Sequence, residues 1–165
     1  MPRDYPFLKR GYATIEEVQS SLPPLERIKK GPVATNECIE EIPCDSCAMI
    51  CPTKAVEMPT INDMPKVIFD KCIGCTLCLQ VCPGLAFFML DKSKSPEGKT
   101  WVTVPHELLP VPKKGDIVKA LDRTGKHVTD AKVVMVIKSP KAYGTYLITV
   151  EVDDEYANHV RAVLA

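Results

Sequence analysis

The sequence predicts an α+β protein in three parts: a duplicated, cysteine-bound core at residues 33–105, an arm before it, and a small β-rich domain closed by a helix after it. Three observations carry this. Seven of the eight cysteines fall between Cys44 and Cys82 in two runs. The runs repeat, because Cys44, Cys47, Cys51, Pro52 and Ala55 recur thirty-one residues later as Cys75, Cys78, Cys82, Pro83 and Ala86. Beyond residue 106 there is no further cysteine, and alternating apolar and polar residues take over.

Residues 1–32 form the arm. Thr14 followed by Ile15, Glu16 and Glu17 has the outline of a helix N-cap with acidic residues in the first turn. A short helix is expected to run to about Ser21 and to end at Pro23-Pro24. Ile15, Val18 and Leu22 would then share one face. That face either covers the core or docks on another subunit.

The core at 33–105 is expected to hold two similar halves related by approximate two-fold symmetry. Short strands are expected at 33–35 and 87–90, on the outer edges of the halves. Between the halves, a hairpin from 56–58 to 66–69 is marked by Pro59, Asn62, Asp63 and Pro65. Met49, Met58, Met64 and Met89 are expected as soft packing. A polar loop over 91–100 leads to a strand at 101–104 that pairs back on 87–90.

Residues 106–165 read differently. Strands are expected at 115–118, 127–137 and 143–152. In the last, Tyr146, Ile148, Val150 and Val152 alternate with Thr145, Leu147, Thr149 and Glu151, as in a half-buried strand. Asp153 is expected to cap a final helix, with Tyr156, Val160, Val163 and Leu164 facing inward. His106, His127 and His159 are scattered and read as surface or packing residues, and Trp101 as an anchor.

Formal charge is zero over 165 residues, which argues against a general nucleic-acid binder or a polybasic membrane reader. Residues 33–92 carry eight acidic side chains against four basic, so a mildly acidic centre lies between mildly basic flanks. No stretch has the length and apolarity of a membrane span, and the residues after Met1 form no secretory apolar segment. Eight thiols in an unexported chain point to a reducing, cytoplasmic setting, where disulfides are unusual.

The second run, Cys72, Cys75, Cys78, Cys82, Pro83, reads C-x2-C-x2-C-x3-C-P, the ligand run of bacterial two-cluster iron–sulfur proteins. Structural zinc also uses C-x2-C pairs. Against zinc stand the third cysteine three residues after each pair and the proline after each fourth cysteine. Gly74 permits a positive φ inside the tight loop. Pro52 and Pro83 turn the chain away without leaving a donor unpaired. Ile50, Val56, Ile73, Leu77, Val81 and Phe87 can supply a dry wall. The first run departs from the pattern, because five residues (39–43) separate Cys38 from Cys44. Nothing in the chain pairs a nucleophile with a base or builds a phosphate-binding glycine loop, so no active site of its own is expected.

Residues 33–92 resemble the two-[4Fe–4S] ferredoxin family, down to Cys51-Pro52-Thr53-Lys54-Ala55-Val56. The resemblance implies a ferredoxin-like fold and two [4Fe–4S] clusters with crossed ligands. One would take Cys38, Cys44, Cys47 and Cys82; the other would take Cys72, Cys75, Cys78 and Cys51. The long gap after Glu37-Cys38 and the appended β-rich domain are similar to small iron–sulfur subunits of FAD-dependent amino-acid dehydrogenases of the proline, hydroxyproline or sarcosine type. That resemblance implies a flavoprotein partner in a hetero-oligomer. A free-standing carrier ferredoxin with an accessory tail is the alternative.

Overall fold

The computed structural model describes residues 5–39, 41–138 and 144–165. Residues 1–4 of the arm, Glu40 of the long cysteine gap and Tyr143, the expected start of the last long strand, lie outside the described residues. The arm contains α1 (Pro6–Arg10), which stops at Gly11 with φ +82. It continues through α2 (Ile15–Val18) and α3 (Leu25–Ile28). Thr14 and Glu17 complete a reciprocal capping box. A 3-10 turn carries α2 on to Ser21, ahead of the two prolines. Val18 and Ile28 are buried within this chain, while Ile15 and Leu22 of the expected face are half-buried.

Seven strands form an antiparallel sheet. They are β1 (Val33–Asn36), β4 (Phe87–Asp91), β5 (Lys99–His106), β6 (Ile117–Leu121), β7 (His127–Lys138), β8 (Tyr146–Asp153) and β9 (Ala162–Leu164). Their spatial order is β1-β4-β5-β8-β7-β6-β9. A separate hairpin pairs β2 (Val56–Glu57) with β3 (Lys66–Val67). Helices α4 (Ser46–Ile50) and α5 (Leu77–Val81) sit inside the two cysteine runs and touch each other.

The sheet has two cores because pleating sends alternate side chains to opposite faces. On one face Val33, Phe88, Leu90, Val102, Val104, Val133, Ile148, Val150 and Val163 pack together. β9 also approaches β5, so the sheet curls around this core. On the other face Ala34, Phe87, Met89 and Leu147 meet Cys47, Cys78 and Leu79. The strands β1, β4 and β8 therefore serve both cores, and the cysteine loops rest on the back of the curled sheet.

Three expectations are corrected by this arrangement. No helix closes the chain. Asp154–Tyr156 is a single 3-10 turn, and residues 162–164 instead pair with the free edge of β6, Val163 opposite Ala120. Strand alternation then buries Val163 and leaves Leu164 43% exposed. Second, β8 is not half-buried, since Leu147 and Thr149 are covered by the cysteine-bearing side while Ile148 and Val150 face the curl. Third, the expected boundary at 105/106 falls inside β5, which pairs along its whole length with β8. The sheet runs straight through that boundary.

Candidate metal centres

Both cysteine runs use the same local geometry. Cys47 and Cys78 lie within α4 and α5, and both are buried. Cys51 and Cys82 follow as the C-caps, in extended backbone, each before a proline. Two residues past each proline the chain turns through positive φ, at Lys54 (+52) and Leu85 (+51). That turn brings the next amide back to the sulfur: Ala55 N–H donates to Cys51 Sγ at 3.2 Å, and Ala86 N–H donates to Cys82 Sγ at 3.3 Å. The repeat thus reproduces an amide–sulfur contact in each half. Ala34 N–H, from β1, donates to Cys72 Sγ at 3.4 Å.

The helices place thiols from the two halves side by side. Cys51, from the first run, lines one cavity with Cys72, Cys75 and Cys78 from the second. Its other walls include Ala34, Val56, Val67, Leu77 and Met89, so the lining is apolar apart from the sulfurs and Thr53 and Thr76. Cys75 is exposed, which places one thiol of this group at the surface. In the second group, Cys47 lies within electrostatic reach of Cys82 and Cys38. Cys44 is half-buried in the same loop, with its amide bonded to the Ile61 carbonyl at 3.1 Å.

Crowding leaves its mark on the thiols. Burial, reinforced by Cys82 and Cys38, pushes the Cys47 thiol up to about 12. Burial likewise raises Cys78, with Cys72, Cys75 and Cys47 adding repulsion. Cys51 goes the other way: burial pushes it up, but hydrogen bonds from Val56, Ala55 and Thr53 outweigh that and hold it below the ordinary thiol range. A cation at such a site would favour the thiolate form of the buried cysteines, which couples metal binding to folding. Among the described residues, no group of three His, Cys, Asp or Glu is placed to hold a single metal ion. Four thiols line one cavity, a donor set that suits an iron–sulfur cluster or zinc.

Some expected wall residues turn outward. Ile73 lines the cavity but is 62% exposed, and Met49 and Met64 are 77% and 45% exposed, so neither methionine is packing. Met58 Sδ lies 4.0 Å from Cys47 Sγ, and Met89 is buried in the cavity wall. Trp101 anchors two strands by donating from Nε1 to Glu151 at 3.0 Å.

Sequence reasoning missed the side chains that hold the two loops. Glu37, beside Cys38, accepts from Arg123 at 2.6 and 2.9 Å and from Arg161 at 2.5 Å. These three side chains are 10%, 8% and 4% exposed. Arg161 also lies 4.8 Å over the Phe88 ring. The partners are separated by 86 and 124 residues, beyond the reach of any local pattern. Arg27, from α3, donates to the carbonyls of Phe69, Gly31 and Cys72 at 2.8, 3.0 and 2.6 Å.

Residues 65–88 match the family described as 4Fe-4S binding domain. An uncharacterised polyferredoxin-like protein of Methanocaldococcus jannaschii is 38% identical over 63 residues, covering 30% of this chain and 38% of that protein. The chain thus spans well under two thirds of the length of that relative. No solved structure matches the chain significantly. Among the described residues, no helix is long and apolar enough to cross a membrane. The family match supports [4Fe–4S] binding within residues 65–88, which hold Cys72, Cys75, Cys78 and Cys82.

Proposed function

We propose that this chain is the electron-transfer subunit of a larger cytoplasmic oxidoreductase and carries two [4Fe–4S] clusters within a ferredoxin-like unit. One cluster is held by Cys38, Cys44, Cys47 and Cys82, the other by Cys72, Cys75, Cys78 and Cys51. The observation that carries this reading is Cys51 lining the cavity of the opposite run, the exchange of a fourth ligand that two-cluster proteins use. When bound, such a group supplies a one-electron carrier. The chain's own residues place the thiolates, aim the Ala34, Ala55 and Ala86 amides at sulfur, and keep water out with Val56, Val67 and Met89. Amide donors and a dry wall are both levers on reduction potential.

The partner we favour is a flavin-dependent amine or amino-acid dehydrogenase, by analogy with its small iron–sulfur subunits. Support comes from the arm and the curled sheet, which grip the cluster loops through Arg27, Arg123 and Arg161. A freely diffusing carrier does not require that added mass. On this reading the substrate and its chemistry belong to the partner, and this chain has no active site of its own.

Anaerobic purification from native cells tests both parts. About eight irons per chain, with sulfide to match, are expected, together with a co-eluting flavoprotein. Cys38→Ser is expected to convert the first cluster to a three-iron or labile species, seen by EPR and iron analysis. An unchanged spectrum in Cys38→Ser would remove Cys38 from the ligands. A stable holo-monomer eluting without flavin would favour the carrier reading. Zinc in place of iron would overturn the redox role.

A further inference from the structure

The arm ends directly on the loop of the second cluster. Arg27 makes three hydrogen bonds there, and the shortest, 2.6 Å, goes to the carbonyl of the ligand residue Cys72. Its bond to the Phe69 carbonyl, 2.8 Å, holds the 3-10 turn that delivers the chain to Cys72. The third, 3.0 Å to the Gly31 carbonyl, ties the arm's own end to the same point. Pro32 then lies against Gly74, so close that a Cβ there would stand 2.5 Å from the proline ring and 2.7 Å from its carbonyl oxygen. The next strand contributes the Ala34 amide to Cys72 Sγ. Arm and loop are fitted to each other over consecutive residues.

A guanidinium stays charged under all working conditions. Among the described residues, the hydrogen bonds of Arg27 go to carbonyls and none goes to a carboxylate. Its positive charge is therefore not cancelled by a bonded acid, and it is bonded to the backbone of Cys72, a ligand of the second cluster on the reading above. Near the first loop Arg123 and Arg161 share the single carboxylate of Glu37, so that group also keeps a net positive charge. Arg27 itself reaches only the second loop and the end of the arm. A cation beside a cluster favours the reduced form, which carries one more negative charge.

We propose that Arg27 is a positioning residue for the cluster on Cys72, Cys75, Cys78 and Cys51: it clamps that loop and raises the potential of that cluster above the value it would have without the guanidinium, leaving the other cluster unshifted. This rests on the two-cluster reading above.

The test is a dithionite titration of the full chain, followed by EPR, on wild type, Arg27→Gln and Arg27→Lys. The signal perturbed by Cys75→Ser marks the second cluster. Arg27→Gln is expected to lower its share of the first electron about tenfold, a shift of about 59 mV for a one-electron couple, while the other signal stays in place. Arg27→Lys keeps the charge but not the forked bonds, so it should restore most of the potential while losing iron faster to a chelator. Equal shifts of both clusters, no shift, or identical potentials in the two variants would overturn the proposal. If Arg27→Gln binds only the first cluster, the clamp is upheld; if it binds neither, a selective role is excluded. A wild type without two EPR-active clusters sinks the two-cluster reading itself, an outcome separate from unchanged potentials at full iron content.

Discussion

The two cysteine loops share the spacing of their last three cysteines but not a means of support. The second is tight, with two residues between Cys72 and Cys75, and relies on Gly74 at φ +69 and Thr76 at φ +64. It is pinned from the N-terminal side by Arg27 and Pro32. The first is long, with five residues between Cys38 and Cys44, and has Pro43 where the repeat places Gly74. It is pinned from the C-terminal side, by Arg123 and Arg161 acting through Glu37. Each segment added to the duplicated core therefore secures one half of it. The lesson is that duplication supplied the ligands, and the flanking chain supplies the rigidity.

The residues just before the two first cysteines offer the strongest way to break that contrast. Glu37 precedes Cys38 inside a buried charge cluster, while Lys71 precedes Cys72 and pairs with Glu57 at 2.9 Å, both about half exposed. Glu37→Gln leaves two buried guanidinium groups without their counter-charge. Removing one partner of a buried pair costs about 3–5 kcal/mol, whereas an exposed pair is worth about 0–1 kcal/mol. Denaturant unfolding of the anaerobic protein should show Glu37→Gln strongly destabilised and Lys71→Gln nearly unchanged. Equal losses would mean that the Arg–Glu–Arg cluster does not bear on stability as its burial implies.

Much of this architecture was readable in the residues. The strands at 33–36, 87–91 and 127–138, and the capping box at Thr14, are local features whose periodicity or chemistry fits in a short window. The cysteine runs are local too, whereas Cys51 standing among the thiols of the second run was implied by the family resemblance alone. What escaped was decided at long range. Residues 154–164 carry a helix-like start, yet the open edge of β6 offered a full set of backbone partners, and the chain took them. Leu147 looked solvent-facing because a period of two cannot say whether the second face is covered. Arg27, Arg123 and Arg161 carried no signal in the sequence, since nothing within a turn or strand of them marks the carbonyls and carboxylate they reach.

A smaller effect is expected from the turn residues. Gly74→Ala places a side chain at positive φ, a cost of about 1–2 kcal/mol. The new Cβ also meets the Pro32 backbone, which has no flexible end to yield. Its counterpart Pro43→Ala changes an exposed position and should stay within about 0.5 kcal/mol. Iron release to a chelator, followed with EPR, should be faster for the second cluster in Gly74→Ala and unaltered in Pro43→Ala. If both variants lose the same cluster at the same rate, the arm's close approach is not what secures the second loop.

The smallest effect is one of acidity, and it separates the two supports without touching either loop. His106 ends β5 at 4% exposure, and among the described residues its Nε2 has no hydrogen-bond partner. Burial pushes its pKa below 6.5, only partly offset by hydrogen bonds to the backbone of Leu108 and Pro110. The folded protein thus keeps this ring neutral at a pH where the unfolded chain already binds the proton. The associated stability is complete above about pH 6.5 and is lost as the pH falls toward the folded-state pKa. His106→Phe cannot titrate and should flatten this dependence. Hydrogen exchange between pH 8 and pH 6 should show β5 and β8 losing protection in the wild type. The first loop should follow, since Arg123 and Arg161 hang it from the curled sheet, whereas the second, held by the arm, should keep its protection. Parallel loosening of both loops, or the same pH dependence in His106→Phe, would show that the loops are not supported separately.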